Sequence, residues 1–174
     1  MRASNVVRVG SANPGGVRLV RAGVFNLGGR TVDLTQRLLS LSEQFADLVR
    51  ELEPDQLAIE EAFFGKSVQS ALRIGEARGV LLAEAARSGL DVFQYTPARV
   101  KRCVTGHGSA RKQSVAKMLG QMLPKGDQPF PGDLTEDATD AVAVAWTRLE
   151  ELRSPMAATQ SRAKARRTRG FAND

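Results

Sequence analysis

The sequence predicts a mixed α/β fold, a sheet flanked by helices, in one domain over residues 1–153 with a basic tail over 154–174. Three observations carry this. Short runs rich in Val, Ile and Phe alternate with longer segments whose leucines recur at helical spacing. Prolines and glycines punctuate the boundaries between them. A chain of 174 residues is long enough to bury one ordinary core.

Residues 1–31 read as a β-hairpin. Val6–Val9 and Val17–Val20 are the strand-like runs, and Gly10–Gly16 between them is dense in turn formers. A further strand-like piece, Gly23–Leu27, extends the second run and closes at Gly28-Gly29. Residues 33–53 form the clearest helix. Leu34, Leu38, Leu41, Phe45, Leu48 and Leu52 fall on one face, and Pro54 stops it.

A short strand follows from Gln56 to Phe64, broken by Gly65. Residues 67–88 are a second helix, with Leu72, Gly75, Gly79 and Leu82 near one face. The small Gly75 and Gly79 suit close packing of this helix on a sheet or another helix. Gly89 caps it, and Asp91–Tyr95 is a short strand.

Thr96-Pro97 opens a helix over 97–104 that carries Arg99, Lys101 and Arg102. After the loop Thr105–Ser109, Ser109 can cap a helix from Ala110 to about Leu123. That helix opens with Arg111 and Lys112, cations placed against the helix dipole. Phosphate binding at a helix start fits them, and so does a merely solvated lysine. Residues 124–134 hold three prolines and read as a loop. The last helix runs from Thr135, a cap, to Arg153, with Glu136 and Asp137 at its positive end. Beyond it the Ala-, Ser- and Arg-rich tail reads as disordered, able to add non-specific electrostatic affinity for nucleic acid or simply to solubilise.

Charge and composition narrow the function. The net charge of +6 favours a polyanionic partner, nucleic acid before membrane. A single cysteine excludes an intrachain disulfide and fits a reducing compartment. There is no apolar run long enough to span a bilayer and no apolar signal region, so a cytoplasmic location is expected. One His and one Cys make a zinc site a poor fit, and no Walker-type loop supports NTP hydrolysis. His107 reads as a loop or surface residue.

The chemistry is carried by carboxylates. Leu57-Ala58-Ile59-Glu60-Glu61-Ala62-Phe63-Phe64 is a buried strand that ends in acids and aromatics. A carboxylate there needs a cation against it, from a side chain or a metal. Glu60 and Glu61 point to opposite faces, so only one can serve a given site. Far downstream, Asp137 and Asp140 are three apart and share a helix face. Glu60 with both aspartates would suit Mg²⁺ or Mn²⁺, hard cations that take oxygen ligands. Two such ions can activate water and stabilise the leaving oxygen in phosphodiester hydrolysis. An acidic first helical turn is common, so this pair alone is a weak signal.

Several segments together resemble the RuvC family of Holliday junction resolvases, within the RNase H-like superfamily. They are Leu57–Phe64, Ser70–Gly79, Tyr95–Lys101, Gly106–Lys112 and Asp137–Ala145, in the family's order and spacing. The resemblance runs from about Val6 to Arg153. It implies an RNase H-like mixed sheet and a homodimeric, Mg²⁺-dependent endonuclease. Such an enzyme makes paired nicks in four-way DNA junctions during recombination and repair. It further implies two Mg²⁺ per site, with Mn²⁺ able to substitute, and RuvA and RuvB as partners.

Residue by residue, Glu60 matches the family's strand-end catalytic glutamate. Asp137 and Asp140 match its metal-binding pair. Phe63 matches an aromatic that stacks on an unpaired base, and Lys101 and Lys112 match basic residues at the scissile phosphates. Arg99 and Arg111, beside them in sequence, are further DNA-binding candidates. Stacking is sequence-tolerant and contributes ~1–3 kcal/mol per base.

The resemblance departs at the N-terminus. Family members open on a strand of the type Ile-Asp-Pro-Gly whose Asp is a metal ligand, and no such motif occurs here. In one alignment Asn5–Arg8 matches the family's second strand and Val17–Leu27 its third, so the first strand is missing. In the other, Asn13-Pro14-Gly15 stands for Asp-Pro-Gly. The first is preferred, because the second leaves one strand where the fold needs two before the long helix. It implies a gap in the sheet, a start codon placed downstream of the true one, and impaired catalysis. The alternative function is then a junction- or DNA-binding protein lacking the first catalytic Asp.

Overall fold

The computed structural model describes residues 5–13, 16–29, 31–61, 68–123 and 135–153. Strands β1 (Asn5–Asn13) and β2 (Gly16–Val24) pair antiparallel. The expected turn over Gly10–Gly16 is narrower than its composition suggests. The ladder continues to Asn13↔Gly16, with register shifts between Arg8 and Val9 and between Gly10 and Asn13 absorbing the irregularity. β2 ends at Val24, and Leu27 beyond it is buried. Gly28 turns the chain at φ 80°, where a Cβ would meet Val32 Cγ2 at 2.8 Å.

Helix α1 (Leu34–Leu52) starts at Asp33, whose carboxylate accepts from the Thr35 N–H at 2.9 Å. Its leucine stripe buries Leu41, Phe45 and Leu48. Glu53 takes a left-handed φ of 43° just before Pro54, and strand β3 (Gln56–Glu60) follows. Helix α2 (Val68–Arg87) ends at Gly89, φ 70°. Strand β4 (Asp91–Tyr95) pairs parallel with β3, from Gln56↔Asp91 to Glu60↔Tyr95. Helix α3 (Pro97–Thr105) is capped by Thr96 and closed by Gly106. Helices α4 (Lys112–Met122) and α5 (Glu136–Arg153) complete the order.

The β3–β4 sheet separates two cores. On one face Leu57, Ile59 and Val92 pack with Leu41, Phe45, Ala77, Leu81 and Ala85 of α1 and α2. On the other, Ala58, Phe93 and Tyr95 pack with residues of α3, α4 and α5, including Val100, Leu119, Val142 and Trp146. The alternation of strand side chains makes this division. Glu84, buried on α2, ties α1 to α2 by accepting from Ser42 Oγ at 2.6 Å. The two strand pairs form separate two-stranded sheets, and α5 lies against both β1 and β3.

Two local expectations are corrected. Gly75 and Gly79 do not pack closely on any element of this chain among the described residues: both are exposed, and a Cβ at either would meet nothing within 4 Å. The buried face of α2 is instead set by Ala77, Leu81, Glu84 and Ala85. Helix α4 starts at Lys112, not Ala110. Arg111 is its N-cap and supplies no side-chain cap bond, because the Thr105–Ala110 segment turns back on itself first. Residues 62–64 of the expected strand, Phe63 among them, residues 124–134 of the expected loop and the tail over 154–174 lie outside the described residues.

Candidate active site

Parallel pairing puts Glu60 and Tyr95 opposite each other on one face of the sheet, the face covered by α5. Glu60 closes β3 there, and Asp140 sits on the first half of α5. Both line one cavity of about 230 Å³. Lys101 from α3 and Lys112 from the start of α4 line it too, above apolar walls that include Val100 and Val115. Val100 precedes Lys101, Val115 lies three residues after Lys112, and both valines are buried, so packing of α3 and α4 delivers both lysines to the same opening. Glu61 is exposed and is not part of the lining; its N–H donates to the Tyr95 carbonyl at 2.8 Å.

The charges in the cavity are coupled. Lys112 Nζ donates to Asp140 Oδ2 at 3.0 Å and stands 3.8 Å from Glu136 Oε2. The hydrogen bond to Asp140 is the main cause of a raised Lys112 pKa. Glu60 is pushed up, first by burial and then by the Asp140 carboxylate, against the opposing pull of Lys112 and Lys101. A carboxylate with a raised pKa beside a second carboxylate is a group that gains from an added cation.

The three predicted acids are not equivalent. Glu60 and Asp140 share the cavity, whereas Asp137 does not line it and acts on Lys112 only through its charge. Among the described residues no three acidic, His or Cys side chains gather into a metal-holding group. The donors present are hard oxygens, and two carboxylates completed by a substrate phosphate suit one Mg²⁺. They do not by themselves make a two-ion site.

The remaining basic candidates differ in what already occupies them. Arg111 is exposed at the α4 cap. Arg99 is engaged: it donates to Glu151 Oε1 at 2.7 Å and lies over the Tyr95 ring, 5.2 Å from its centroid. His107 is exposed in the α3–α4 loop.

Sequence reasoning missed the support behind this site. Glu151 accepts from Tyr95 Oη, Arg99 and Arg148, joining β4, α3 and α5. Arg148 is 5% exposed, lies 3.4 Å from the Phe93 ring centroid and donates to Gln56 at 2.9 Å. Burial would raise the Glu151 pKa, but hydrogen bonds from Tyr95 and Arg148 and the nearby guanidinium charges bring it below the ordinary value. Tyr95 is pushed the other way, upward, by burial and by the Glu151 carboxylate. No local sequence signal marks an arginine that will be buried.

The site is thus an acid–base cluster, Glu60 and Asp140 with Lys101 and Lys112, at the end of a two-faced α/β sheet, and the fold is of the mixed α/β, RNase H-like class of its solved neighbours. The model of the family described as crossover junction endodeoxyribonuclease RuvC matches residues 5–148. A protein of that description from Thermosipho melanesiensis is 40% identical over 124 residues, covering 71% of this chain and 76% of the relative. One from Chlorobium phaeovibrioides is 44% identical over 109 residues, covering 63% of this chain and 56% of the relative. The solved structure of Thermus thermophilus RuvC in complex with a Holliday junction substrate superposes with a TM-score of 0.72 at 26% identity. That match covers 82% of this chain and 84% of the other. The chain belongs to the RuvC family.

Proposed function

We propose that this chain is a crossover junction endodeoxyribonuclease that nicks four-way DNA junctions in recombination and repair. The observation that carries this is one cavity holding Glu60, Asp140, Lys101 and Lys112, drawn from four different elements. The Thermus relative bound to a Holliday junction supports the same substrate.

In this reading Glu60 and Asp140, with Asp137 one turn earlier, hold divalent metal. A bound Mg²⁺, or Mn²⁺ in its place, supplies charge neutralisation at the phosphate and a more acidic water. The complete family-type site holds two ions. Lys101 and Lys112 hold the scissile phosphate, Arg111 extends the basic rim, and Phe63 stacks on an unpaired base. Arg99 joins them only by leaving Glu151. β1 and β3 both rest on α5, and among the described residues no ladder joins them.

The enzyme acts as a homodimer in the cytoplasm, with RuvA and RuvB as branch-migration partners. Among the described residues no helix is long and apolar enough to cross a membrane. The exposed stripe Val68, Leu72, Gly75 and Gly79 on α2 supports the dimer. It follows the four-three spacing of a helix–helix seam, and Val68 and Leu72 are 78% and 61% exposed.

The direct test is metal-dependent cleavage of a labelled four-way junction by the parent, Glu60→Gln and Asp140→Asn. Each substitution is expected to lower the rate by more than about 100-fold. A Glu60→Gln variant that cleaves as well as its parent, where the parent cleaves, defeats the site assignment.

A second reading is a non-catalytic junction-binding protein. The lack of a three-carboxylate group among the described residues favours it. Junction binding at low nanomolar protein without metal-dependent cleavage would select it.

A further inference from the structure

The carbonyl of Glu60 has an unusual partner. The Glu60↔Tyr95 register, with the Glu61 N–H donating to the Tyr95 carbonyl, turns the backbone groups of Glu60 itself away from β4. Among the described residues the β3–β4 sheet has two strands, and none offers that carbonyl a ladder partner on the side away from β4. A strand-end carbonyl without a ladder partner needs another donor to hold its peptide plane in one orientation. Arg78, on α2, provides it: Nη1 donates to the Glu60 carbonyl at 2.6 Å. Its other nitrogen, Nη2, donates to the side-chain oxygen of Gln94.

These contacts cross the sheet. Gln94 pairs with Ile59, whose side chain packs on the α1–α2 side, and α2 lies on that same side. The Glu60 side chain lies on the opposite, α5 side, in the cavity. One guanidinium therefore joins the last peptide of β3 to the side chain next to the last residue of β4. Its planar fork suits two acceptors at once, which a lysine cannot match. Neither acceptor is charged, so the contact makes sense as geometry rather than as charge neutralisation.

We propose that Arg78 is a positioning residue for Glu60: clamping the ends of β3 and β4, it fixes the peptide from which the Glu60 carboxyl enters the cavity. The catalytic part of the test rests on the nuclease reading above; the structural part does not.

The experiment compares the full chain with Arg78→Ala and Arg78→Lys by two readouts. The first is junction cleavage resolved into kcat and KM alongside junction Kd. The expected result is a kcat lowered roughly 10–100-fold in both variants, with Kd and KM within twofold of the parent, as for loss of a group that orients a ligand. The second is hydrogen exchange of the peptide over residues 57–61, against a control peptide over 41–48 in α1. Exchange is expected to rise roughly tenfold at the end of β3 and to stay unchanged in the control.

An unchanged β3 exchange rate overturns the proposal, and so does exchange raised equally in both peptides, which would mark general destabilisation. A weakened junction Kd with kcat intact makes Arg78 a DNA contact and overturns it too. Full kcat in Arg78→Lys would assign the role to charge alone, against the clamp. If the parent does not cleave at all, the nuclease reading fails, while the exchange result still decides for or against the clamp.

Discussion

Lys112 Nζ sits 3.0 Å from Asp140 Oδ2, so the aspartate that would take a metal already has a cationic partner from a different helix. The side chains are 53% and 40% exposed, which limits the pair to at most about 1 kcal/mol. The ammonium and a divalent ion therefore compete for one carboxylate. Lys112→Met is expected to bind Mn²⁺ up to about fivefold more tightly, the equivalent of that energy, in a titration followed by the Mn²⁺ paramagnetic signal. Cleavage should nonetheless slow, because the phosphate contact is lost. Weaker Mn²⁺ binding in the variant would show that the lysine organises the carboxylate rather than competing for it.

Glu151 gives a prediction with a pH sign. Its pKa is lowered from 4.5 in the folded chain, so its ionised form contributes stability that is fully present above pH 4.5 and lost as pH falls through the lower folded value. Glu151→Gln removes that contribution and strips the buried Arg148 of its carboxylate. At pH 7 the cost is expected to be roughly 2–3 kcal/mol, somewhat below a fully buried pair. The gap between parent and variant should narrow as the pH is taken below 4.5. Urea unfolding followed by Trp146, the single tryptophan and a buried one, measures both. A gap that stays constant with pH would mean the charge of Glu151 is not what stabilises the network.

Arg99 and Lys101 are two residues apart on α3 and should fail differently. Lys101 lines the cavity, while Arg99 is held by Glu151. Lys101→Ala is expected to reduce the slope of log junction affinity against log salt by about 1 and to leave the unfolding midpoint unchanged. Arg99→Ala is expected to act on stability first, at about 0.5–1.5 kcal/mol, from a partly exposed ion pair and its contact with Tyr95. The reverse pattern would place Arg99 on the DNA.

The α2 stripe makes the dimer testable. A carboxylate at Leu72, with the 61% exposed leucine removed, cannot be buried at a helix seam without a cation. Leu72→Glu is expected to shift the mass from dimer to monomer in light scattering while leaving the thermal midpoint of the monomer fold within a few degrees. A dimer that survives the substitution places the interface elsewhere.

The sequence was most informative where one element's own period carries the message. The α1 leucines needed only their spacing, because a helix buries one face whatever it packs against. Strand alternation allowed only one of Glu60 and Glu61 into the site, the family resemblance pointed to Glu60, and the structure puts Glu60 in the cavity and Glu61 outside it. Composition misled about packing within the chain at Gly75 and Gly79, which face outward, and at Ser109, where a good cap residue lies ahead of the helix start. In both cases a local preference was overruled by how the neighbouring segments pack.

By itself the sequence determined the alternation of strands and helices, the faces of the clearest helix, and the chemical kind of the site: strand-end and helix carboxylates with lysines. Those properties are written in residue type and period, which act over a few residues. Only the tertiary structure decided that Asp140 rather than Asp137 lines the cavity with Glu60 and that Lys112 closes on Asp140. It alone placed Arg78, Glu151 and Arg148 behind the acids. These are contacts between residues 18 to 92 positions apart, set by helix packing on the two faces of one sheet. Hydrogen bonds and ion pairs reach only a few ångströms, so a shift of one helix by a turn would exchange the partners without changing any pattern in the sequence.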